Sequence, residues 1–380
     1  MWGLESIRHT GSFEVFEVFD FMNKLNVMVV FGGVSSEHDI SCISAASILR
    51  NTDAEKYQIY PVGITKSGSW MLYESTDYDS IENGSWETGG HTVPAVLSPD
   101  RQTHGLLVMR ESGTQVIHAD CVFPVLHGIG GEDGTLQGLL ELAHIPYVGP
   151  GVAASACSMD KSLTKVIVQQ EGVRQAAFYL AHSFAFREDP DALCAAAEAQ
   201  LGAYPVFVKP CSEGSSVGVS KATDRASLKR GLEDAFRYDA KVLIEEFIDG
   251  HEIEVAVLGN DNPTASVAGE IAPSQEFYSF EAKYVDGTSG LYIPAKISES
   301  AMNNVREAAV RVYRALGCKG LSRVDFFCTY AEDEIVFNEI NTLPGFTSIS
   351  MYPKLQEHMG IPYSELVDRL ISLAMERYDG

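Results

Sequence analysis

The sequence predicts an α/β (α+β) protein of two or three domains, the first of which is an open, mostly parallel β-sheet with helices on both faces. Apolar runs such as NVMVVF and CVFPVLHG each lead into a glycine turn and then a helix, and this repeated unit indicates a parallel sheet. The length of 380 residues suggests two or three domains, at about 150 residues each. A hydrophobic fraction of 45% with 21% charged residues is typical of a globular protein and excludes a mainly disordered chain.

Charge and cysteine content exclude several classes of function. The 52 acidic and 28 basic residues give a formal net charge of −24, which disfavours binding to nucleic acid and to anionic membranes. The 7 cysteines form no C-x-x-C pair, which predicts free thiols in a reducing, cytoplasmic compartment. No apolar run approaches about 18 residues, so no membrane span is expected. Residues 1–21 lack the basic start and continuous apolar core of a signal peptide, and we assign this extension no function.

The N-terminal domain is expected to span residues 22–149. Its first strand begins at Asn26 and ends at a pair of glycines, and a helix capped by Ser35 or Ser36 follows. YQIYPVGIT predicts a second strand, and residues 66–115, rich in Ser, Gly, Asp and Thr, predict loops and hairpins. CVFPVLHG predicts a further buried strand, followed by a helix with apolar residues at helical spacing. The sequence IPYVGPG marks the end of this domain.

Two further domains are expected, a central one over residues 150–244 and a C-terminal one over residues 245–380. The central domain contains the Gly/Ser loop CSEGSSVGVSK between two strands. In the C-terminal domain, HEIEVAVLG alternates polar and apolar residues and predicts a strand. The irregular stretch 273–290 predicts a lid, because loops longer than about 12–15 residues are usually functional. Strands over 321–328 and 334–341 and a final amphipathic helix close the chain.

The last two predicted strands, LSRVDFFC and EIVFNEINT, carry the most informative local pattern. If they form a hairpin that turns near residue 332, Asp325 lies directly across from Glu339 on one face. Arg323 then lies across from Asn341 on the same face. Opposed Cβ atoms lie roughly 4.5–5.5 Å apart, so two carboxylates and an amide oxygen there predict a hard cation, Mg²⁺ or Mn²⁺. A solvated acidic face is the alternative, which the apolar flanks of both strands disfavour.

A nucleotide is the expected partner of that cation, because Mg²⁺ held by few protein groups usually carries phosphates. The chain has no G-x-x-x-x-G-K-[ST] loop. It offers instead Lys209 at a strand end, followed by GSSVG at residues 214–218, whose backbone N–H groups can approach phosphates. Lys161 is a further candidate for phosphate, and Glu245 for adenine and ribose. Ordinary explanations remain open for these features: a hairpin turn, a solvated lysine and an edge strand.

Other residues are candidates by their position alone. Glu37 lies at a helix N-terminus, where a carboxylate is favoured even without another role. His127 ends a strand at the edge of the sheet where ligands of open α/β sheets bind, although a buried, hydrogen-bonded histidine is equally consistent. Lys283 and Tyr284, in the segment EAKY, put a cation and a phenol on the predicted lid.

Taken together, these pieces resemble the D-alanine–D-alanine ligase family of the ATP-grasp fold. The resemblance implies an N-terminal open sheet followed by a two-part ATP-grasp module. It also implies that ATP phosphorylates the carboxylate of a first D-alanine and that the amine of a second D-alanine attacks the acyl phosphate. The product would supply peptidoglycan precursors. The matching stretches are GGVSSEHDIS, LHGIGGEDGTLQGLLELAHIPYVG, SACSMDKSLTK, VFVKPCSEGSSVGVSK, LIEEFIDGHEIEV, FYSFEAKY, GLSRVDFF and FNEINTLPGFTSISMYP.

The resemblance assigns roles residue by residue. It implies two Mg²⁺ ions, which Mn²⁺ can replace, bound by Asp325, Glu339 and Asn341. The implied nucleotide-binding positions are Lys161, Lys209, Ser216, Glu245, Phe247, Ile248, Glu252, Lys283 and Asn338. The implied catalytic and substrate-binding positions are Glu37, His127, Ser215, Tyr284, Arg323, Gly345, Ser350 and Met351.

The identity of the second substrate is the finer expectation. The resemblance implies that Tyr284 on the lid favours an amine acceptor over D-lactate. Met351 is apolar where D-serine-selecting relatives have a polar or charged residue, which favours D-alanine. Ligation of D-serine to D-alanine remains the alternative, with D-lactate less favoured. A cytoplasmic homodimer is the form that the resemblance suggests.

Overall fold

The fold is taken from a computed structural model that describes residues 24–272 and 290–379. The extension 1–21 and most of the predicted lid 273–290, including Lys283 and Tyr284, lie outside the described residues. Three sheets make up the described chain, with seven, four and five strands. No helix among the described residues combines the length and the apolar character needed to cross a membrane.

The seven-stranded sheet is formed by the N-terminal third of the chain, in the order β6-β5-β4-β3-β2-β1-β7. One face is covered by α1 and by the C-terminal helix, and the opposite face by α3. Its strands are β1 (Leu25–Gly32), β2 (Tyr57–Ile64), β3 (Trp70–Tyr73), β4 (Thr92–Leu97), β5 (Gly105–Arg110), β6 (Gly113–His118) and β7 (Cys121–Pro124). The helices of this region are α1 (His38–Asn51), α2 (Tyr78–Glu82) and α3 (Thr135–Ala143), with a short 3₁₀ turn at Ser85–Glu87.

The four-stranded sheet lies in the middle of the chain and is antiparallel, in the order β10-β9-β11-β8. Its strands are β8 (Phe178–His182), β9 (Val206–Pro210), β10 (Ser220–Ala222) and β11 (Lys241–Glu246). The helices here are α4 (Val152–Met159), α5 (Lys161–Gln170), α6 (Ser183–Glu188), α7 (Pro190–Leu201) and α8 (Arg225–Ala235).

The five-stranded sheet is also antiparallel, in the order β14-β13-β12-β15-β16. Its strands are β12 (Gly250–Leu258), β13 (Thr264–Ala272), β14 (Gly290–Tyr292), β15 (Leu321–Thr329) and β16 (Ile335–Asn341). The helices are α9 (Glu299–Ala315), α10 (Met351–His358) and α11 (Tyr363–Asp379).

Two expectations about the N-terminal region were wrong in detail: the directions of its strands and the residue that caps α1. The sheet is parallel only where β1 pairs with β2 and with β7, whereas the pairs from β2 to β6 are antiparallel. The hairpins expected over 66–115 are present, and their strands extend the sheet by antiparallel pairing. Neither Ser35 nor Ser36 caps α1, because the helix begins at His38 with Glu37 at the cap position. The Ser35 hydroxyl accepts a hydrogen bond from the Glu37 backbone N–H and donates one to the His127 carbonyl.

The division into domains stays a prediction, and the structure adds two facts about it. The expected boundary between residues 244 and 245 lies inside β11. The final helix α11 packs on the first sheet: Leu366 and Leu370 are buried in one cluster with Val29 and Phe31 of β1. The same cluster contains Phe346, from the loop that follows β16. The two ends of the chain therefore share one hydrophobic core.

Because α11 contributes to this shared core, shortening one of its buried side chains should lower the stability of the whole protein. Leu370 is 0% exposed, so Leu370→Ala should lower the free energy of unfolding by about 2–5 kcal/mol, because it removes buried methyl groups and leaves a cavity. Urea unfolding followed by circular dichroism measures the change. The matched control is Leu142→Ala on α3, where the leucine is 68% exposed and the change should stay within about 0.5 kcal/mol. Equal losses in both variants would contradict the shared core.

Candidate active site

The β15–β16 hairpin carries the carboxylates that the sequence placed opposite each other. Asp325 pairs with Glu339 and Arg323 with Asn341, as predicted from the position of the turn. The register then shifts by one residue, so that Phe326 pairs with Phe337. Asn338 is the extra residue of this β-bulge, a feature that re-aims side chains next to active sites. Its amide oxygen accepts a hydrogen bond from Lys209 Nζ at 3.1 Å.

A third carboxylate extends this row onto the neighbouring strand. Glu254 of β12 pairs with Asp325, so acidic residues occupy equivalent positions on three adjacent strands. Arg323 lies between two of them: its Nε is 3.0 Å from Glu254 Oε2, and its guanidinium donates to both oxygens of Asp325 at 2.8 and 2.7 Å. The Asn341 amide also donates to Asp325, at 2.9 Å. The sequence indicated that Glu254 shares a face with Glu252 but gave it no role.

The donor set of the hairpin fits a divalent cation of the magnesium class. Two carboxylates and one amide oxygen are hard ligands, and two acids in direct register repel each other unless a cation lies nearby. The Arg323 guanidinium is the nearby cation for Asp325. The Lys161 ammonium is the nearby cation for Glu339, with its Nζ 3.5 Å from Glu339 Oε2. Within residues 24–272 and 290–379, no group of three or more His, Cys, Asp or Glu side chains is arranged to hold a metal. A cation here would therefore need the Asn341 amide oxygen as a ligand in addition to the two carboxylates.

Lys209 and Glu245 occupy one face of the central sheet, on neighbouring strands β9 and β11. Lys209 Nζ lies 2.6 Å from Glu245 Oε2, and Lys165 Nζ of helix α5 lies 2.6 Å from Oε1. Burial alone would raise the pKa of Glu245, but the two lysines lower it to about 2. Burial would lower the pKa of Lys209, but Glu245 outweighs this and the pKa is raised. Both groups are therefore ionised at neutral pH. Lys165 was not among the predicted site residues.

Lys161 faces the hairpin from the first turn of helix α5. The helix begins there because the Asp160 carboxylate caps it, accepting hydrogen bonds from the backbone N–H groups of Ser162 and Leu163. Lys161 Nζ donates to the Glu213 carbonyl at 2.7 Å, at the start of the glycine-rich loop. This side chain therefore links the loop to Glu339 of the hairpin.

The glycine-rich loop 214–218 contacts Glu37 across the site. The Ser215 hydroxyl donates a hydrogen bond to the Glu37 carboxylate, which makes no cap bond to its own helix. Ser215 and Ser216 have positive φ angles of 48° and 61°, a backbone region that non-glycine residues rarely adopt. A Cβ at Gly214 would lie 2.9 Å from Glu37 Oε2, so a larger residue here would displace the Glu37 carboxylate. Strained residues that persist in a fold are typical of ligand-binding sites.

The loop after β16 is held by side chains of the segment between β7 and α3. His127 is 5% exposed, and its Nδ1 lies 3.0 Å from the Leu343 carbonyl oxygen. Glu132 accepts hydrogen bonds from the backbone N–H groups of Leu343 at 3.0 Å and Gly128 at 3.1 Å. Burial raises the pKa of Glu132, with His127 opposing the shift. These contacts fix the loop that carries Gly345.

Ser350 and Met351 lie at the start of helix α10, at the end of that loop. The Ser350 hydroxyl accepts from the Thr347 backbone N–H at 3.0 Å, and a Cβ at Gly345 would lie 2.9 Å from its oxygen. Gly345 therefore leaves the space that this hydroxyl occupies. Met351 is 5% exposed and packs against Gly269 of β13 in the shared core. The sequence placed Met351 near a substrate pocket, and that role stays a prediction.

The connection between β11 and β12 carries the remaining predicted nucleotide-binding residues. Phe247 is 39% exposed, and its ring lies 6.1 Å from that of Phe207 on β9 and 4.8 Å from Lys221 Nζ. Ile248 follows it, half-buried, between the central and C-terminal sheets. Glu252 lies on β12 opposite Phe327 of β15. An exposed aromatic ring at such a junction offers a stacking surface for a flat ring.

Comparison with known families matches both the N-terminal and the C-terminal part of the chain. Residues 26–150 match the family model described as D-ala D-ala ligase N-terminus, and residues 167–372 match D-ala D-ala ligase C-terminus. The D-alanine–D-alanine ligase of Caldicellulosiruptor bescii is 49% identical over 356 residues, covering 94% of this chain and 96% of that protein. The ligase of the same name from Ruminiclostridium cellulolyticum is 48% identical, covering 94% and 97% of the two chains.

Solved structures give the same result. The VanG D-Ala:D-Ser ligase of Enterococcus faecalis superposes with a TM-score of 0.84 at 40% identity, covering 93% of this chain and 100% of the other. The D-alanine-D-alanine ligase of Coxiella burnetii superposes with a TM-score of 0.81 at 35% identity, covering 94% and 96%. With family models matching most of its length and relatives near 48% identity, this chain is a ligase of the ATP-grasp fold and belongs to the D-alanine–D-alanine ligase family.

Proposed function

We propose that this protein joins two D-alanines with hydrolysis of ATP to ADP and phosphate, for peptidoglycan precursor synthesis. The observation that carries the proposal is the match to curated D-alanine–D-alanine ligases at 48–49% identity over 94% of the chain. The arrangement of the site supports it. Cations from α5 and β9 approach a carboxylate-bearing hairpin, which is what a nucleotide with its metal requires.

ATP is proposed to bind between the central and C-terminal sheets. Phe247 and Ile248 would contact the adenine from the strand connection, with Glu245 accepting from its amino group. Lys209 and Lys161 would bind phosphates, since their ammonium groups face the bulge of the hairpin. Lys209 contacts Asn338 there, and Lys161 contacts Glu339. Ser216 would donate to a phosphate from the strained loop, and Glu252 would hold the ribose. Lys283 is proposed to join this set from the lid, outside the described residues.

Asp325, Glu339 and Asn341 would hold the metal, proposed as two Mg²⁺ ions that Mn²⁺ can replace. Bound there, such ions neutralise charge on the phosphate oxygens during transfer. Arg323 would add to this from the same face, moving from its present bonds with Asp325 and Glu254 toward the transferred phosphoryl group.

The substrates are proposed to lie between the first sheet and the hairpin. Glu37 would hold the ammonium of the first D-alanine, and Ser215 and the lid residue Tyr284 would hydrogen-bond to the Glu37 carboxylate. A carboxylate oxygen of this substrate attacks the γ-phosphorus of ATP and ADP leaves, forming an acyl phosphate. The amine of the second D-alanine attacks the acyl carbon, loses a proton, and inorganic phosphate departs. His127, Gly345, Ser350 and Met351 would position this second substrate.

D-Serine is the second candidate acceptor, because one similar solved structure is a D-Ala:D-Ser ligase at 40% identity. The curated relatives described above, at 48–49% identity, are D-alanine–D-alanine ligases, and Met351 is apolar. Both facts support D-alanine as the main acceptor. A cytoplasmic location and a homodimer remain part of the proposal.

The overall reaction is tested by substrate-dependent ADP release. We expect turnover in a pyruvate kinase–lactate dehydrogenase coupled assay only when D-alanine, ATP and Mg²⁺ are all present. Competition among D-alanine, D-serine and D-lactate near neutral pH, read by product mass, should give D-alanyl-D-alanine as the main product. ADP release that is independent of D-alanine would overturn the ligase proposal. A predominant D-alanyl-D-serine product would change only the acceptor.

Removing the Glu339 carboxylate tests the metal proposal. Glu339→Ala should lower kcat by about 100-fold or more, since metal stabilisation of phosphoryl charge contributes several kcal/mol and about 1.4 kcal/mol is a factor of ten. Steady-state kinetics over a Mg²⁺ titration measure the loss. Glu332→Ala, at an exposed position in the turn of the same hairpin, is the matched control and should keep wild-type kcat. Wild-type turnover by Glu339→Ala would contradict the ligand assignment.

Removing the Ser215 hydroxyl tests the contact between the glycine-rich loop and Glu37. A hydrogen bond to a charged group contributes roughly 1.5–3 kcal/mol, so Ser215→Ala should lower kcat/KM for D-alanine by about 10- to 100-fold. Ser212→Ala, just before that loop, is the control, because Ser212 contacts Asp239 through its backbone N–H at 2.8 Å. If both variants behave alike, the Ser215–Glu37 contact has no specific role in substrate binding.

A further inference from the structure

Glu245 is shared by two lysines that differ in their access to the site. Lys209 Nζ and Lys165 Nζ each lie 2.6 Å from a different oxygen of the Glu245 carboxylate. Lys209 is part of the proposed nucleotide site, and its side chain is 17% exposed. Lys165 is 2% exposed, so it has almost no surface with which to contact a ligand. Its position therefore needs an explanation other than binding.

Burying an ammonium group is unfavourable unless another charge compensates it. Here the compensation is Glu245 on one side, with the ring of Phe178 centred 5.2 Å from Lys165 Nζ. Lys165 lies four residues after Lys161, so the same face of α5 carries both lysines toward the site. A packing role alone would be met by an apolar side chain of similar length.

The balance of charges gives the explanation. One carboxylate lies between two ammonium groups, so the three side chains carry a net charge of +1. Lys165 and Glu245 balance each other in the interior, and the remaining positive charge stays on the more exposed Lys209. Without Lys165, Glu245 would balance Lys209 instead, and the site would lose its net charge. Glu339 and Glu252 also act on Lys209 at longer range and would be unchanged.

We propose that Lys165 is a positioning residue that neutralises Glu245 from the interior and so leaves Lys209 with a net positive charge for the phosphates of the nucleotide. This inference rests on the proposed function, because it takes Lys209 to face phosphates. It assigns Lys165 an electrostatic role without any contact to the substrate. The inference also predicts which ligands are affected. Replacing Lys165 should weaken the binding of ligands that carry phosphates and should not weaken binding through the adenine ring.

The test is calorimetric binding of ADP, ATP and adenosine to Lys165→Met, in which a side chain of similar length lacks the charge. Losing the equivalent of one charge-assisted contact should weaken ADP and ATP by about 10- to 100-fold while adenosine changes by less than about twofold. The matched control is Lys229→Met on α8, a half-buried lysine paired with Asp191, and it should bind all three ligands as the wild type does.

A double-mutant cycle with Glu245→Gln separates charge balance from packing. When Glu245 is neutral, Lys209 keeps its charge whether or not Lys165 is present. Lys165→Met should then change ADP affinity by less than about threefold in the Glu245→Gln background, since the two sites couple only through the carboxylate. If Lys165→Met alone folds poorly, Glu245→Gln can still be compared with the double variant. Both of these proteins lack the buried carboxylate that would otherwise neutralise Lys209.

Each outcome decides the inference. Equal weakening of ADP and adenosine by Lys165→Met would show a packing role and overturn it. So would an unchanged ADP affinity, or a loss of the same size in the Glu245→Gln background. The proposed function is judged separately: a wild-type protein that binds ADP but releases none in the presence of D-alanine refutes the ligase proposal alone. The binding cycle would still report on Lys165.

Discussion

Compensation of buried charge is the constraint on which the site depends. Three carboxylates of the site each lie close to a cation: Glu245 to Lys165 and Lys209, Asp325 to Arg323, and Glu339 to Lys161. In a low-dielectric interior an uncompensated charge is strongly unfavourable, so these partners fix one another's positions. The carboxylates that would bind a metal and the cations that would bind phosphate are thus held within reach of each other.

This polar site is positioned by an apolar core whose residues come from distant parts of the chain. Helix α11, the last element, packs on the first sheet, and the loop after β16 is held by His127 and Glu132 of the N-terminal region. The residues proposed for the second substrate therefore lie on a loop supported from both ends of the sequence. The glycine-rich loop 214–218, which belongs to the central part of the chain, contacts Glu37. The residues proposed to bind the substrates therefore come from three separate parts of the chain.

The sequence predicted the local pairings well and the side-chain environment poorly. The positions of the turn and of the alternating residues were enough to pair Asp325 with Glu339, because strand register follows from turn geometry. They could not reveal the bulge at Asn338, which depends on packing across the sheet. Lys165 was missed because nothing in a helical lysine signals burial until Glu245 is placed beside it. The extent of the parallel sheet was overestimated because hairpins in a polar region gave no sign of joining it.

The packing of α11 on the first sheet has a consequence for biosynthesis. The N-terminal sheet is translated early, yet Leu366, Val367, Leu370 and Ile371, which complete one of its faces, belong to the last helix of 17 residues. While the nascent chain is still on the ribosome, that face lacks part of its cover, and exposed apolar surface of this kind favours aggregation. The N-terminal region can reach its final packing only after α11 has emerged from the ribosome.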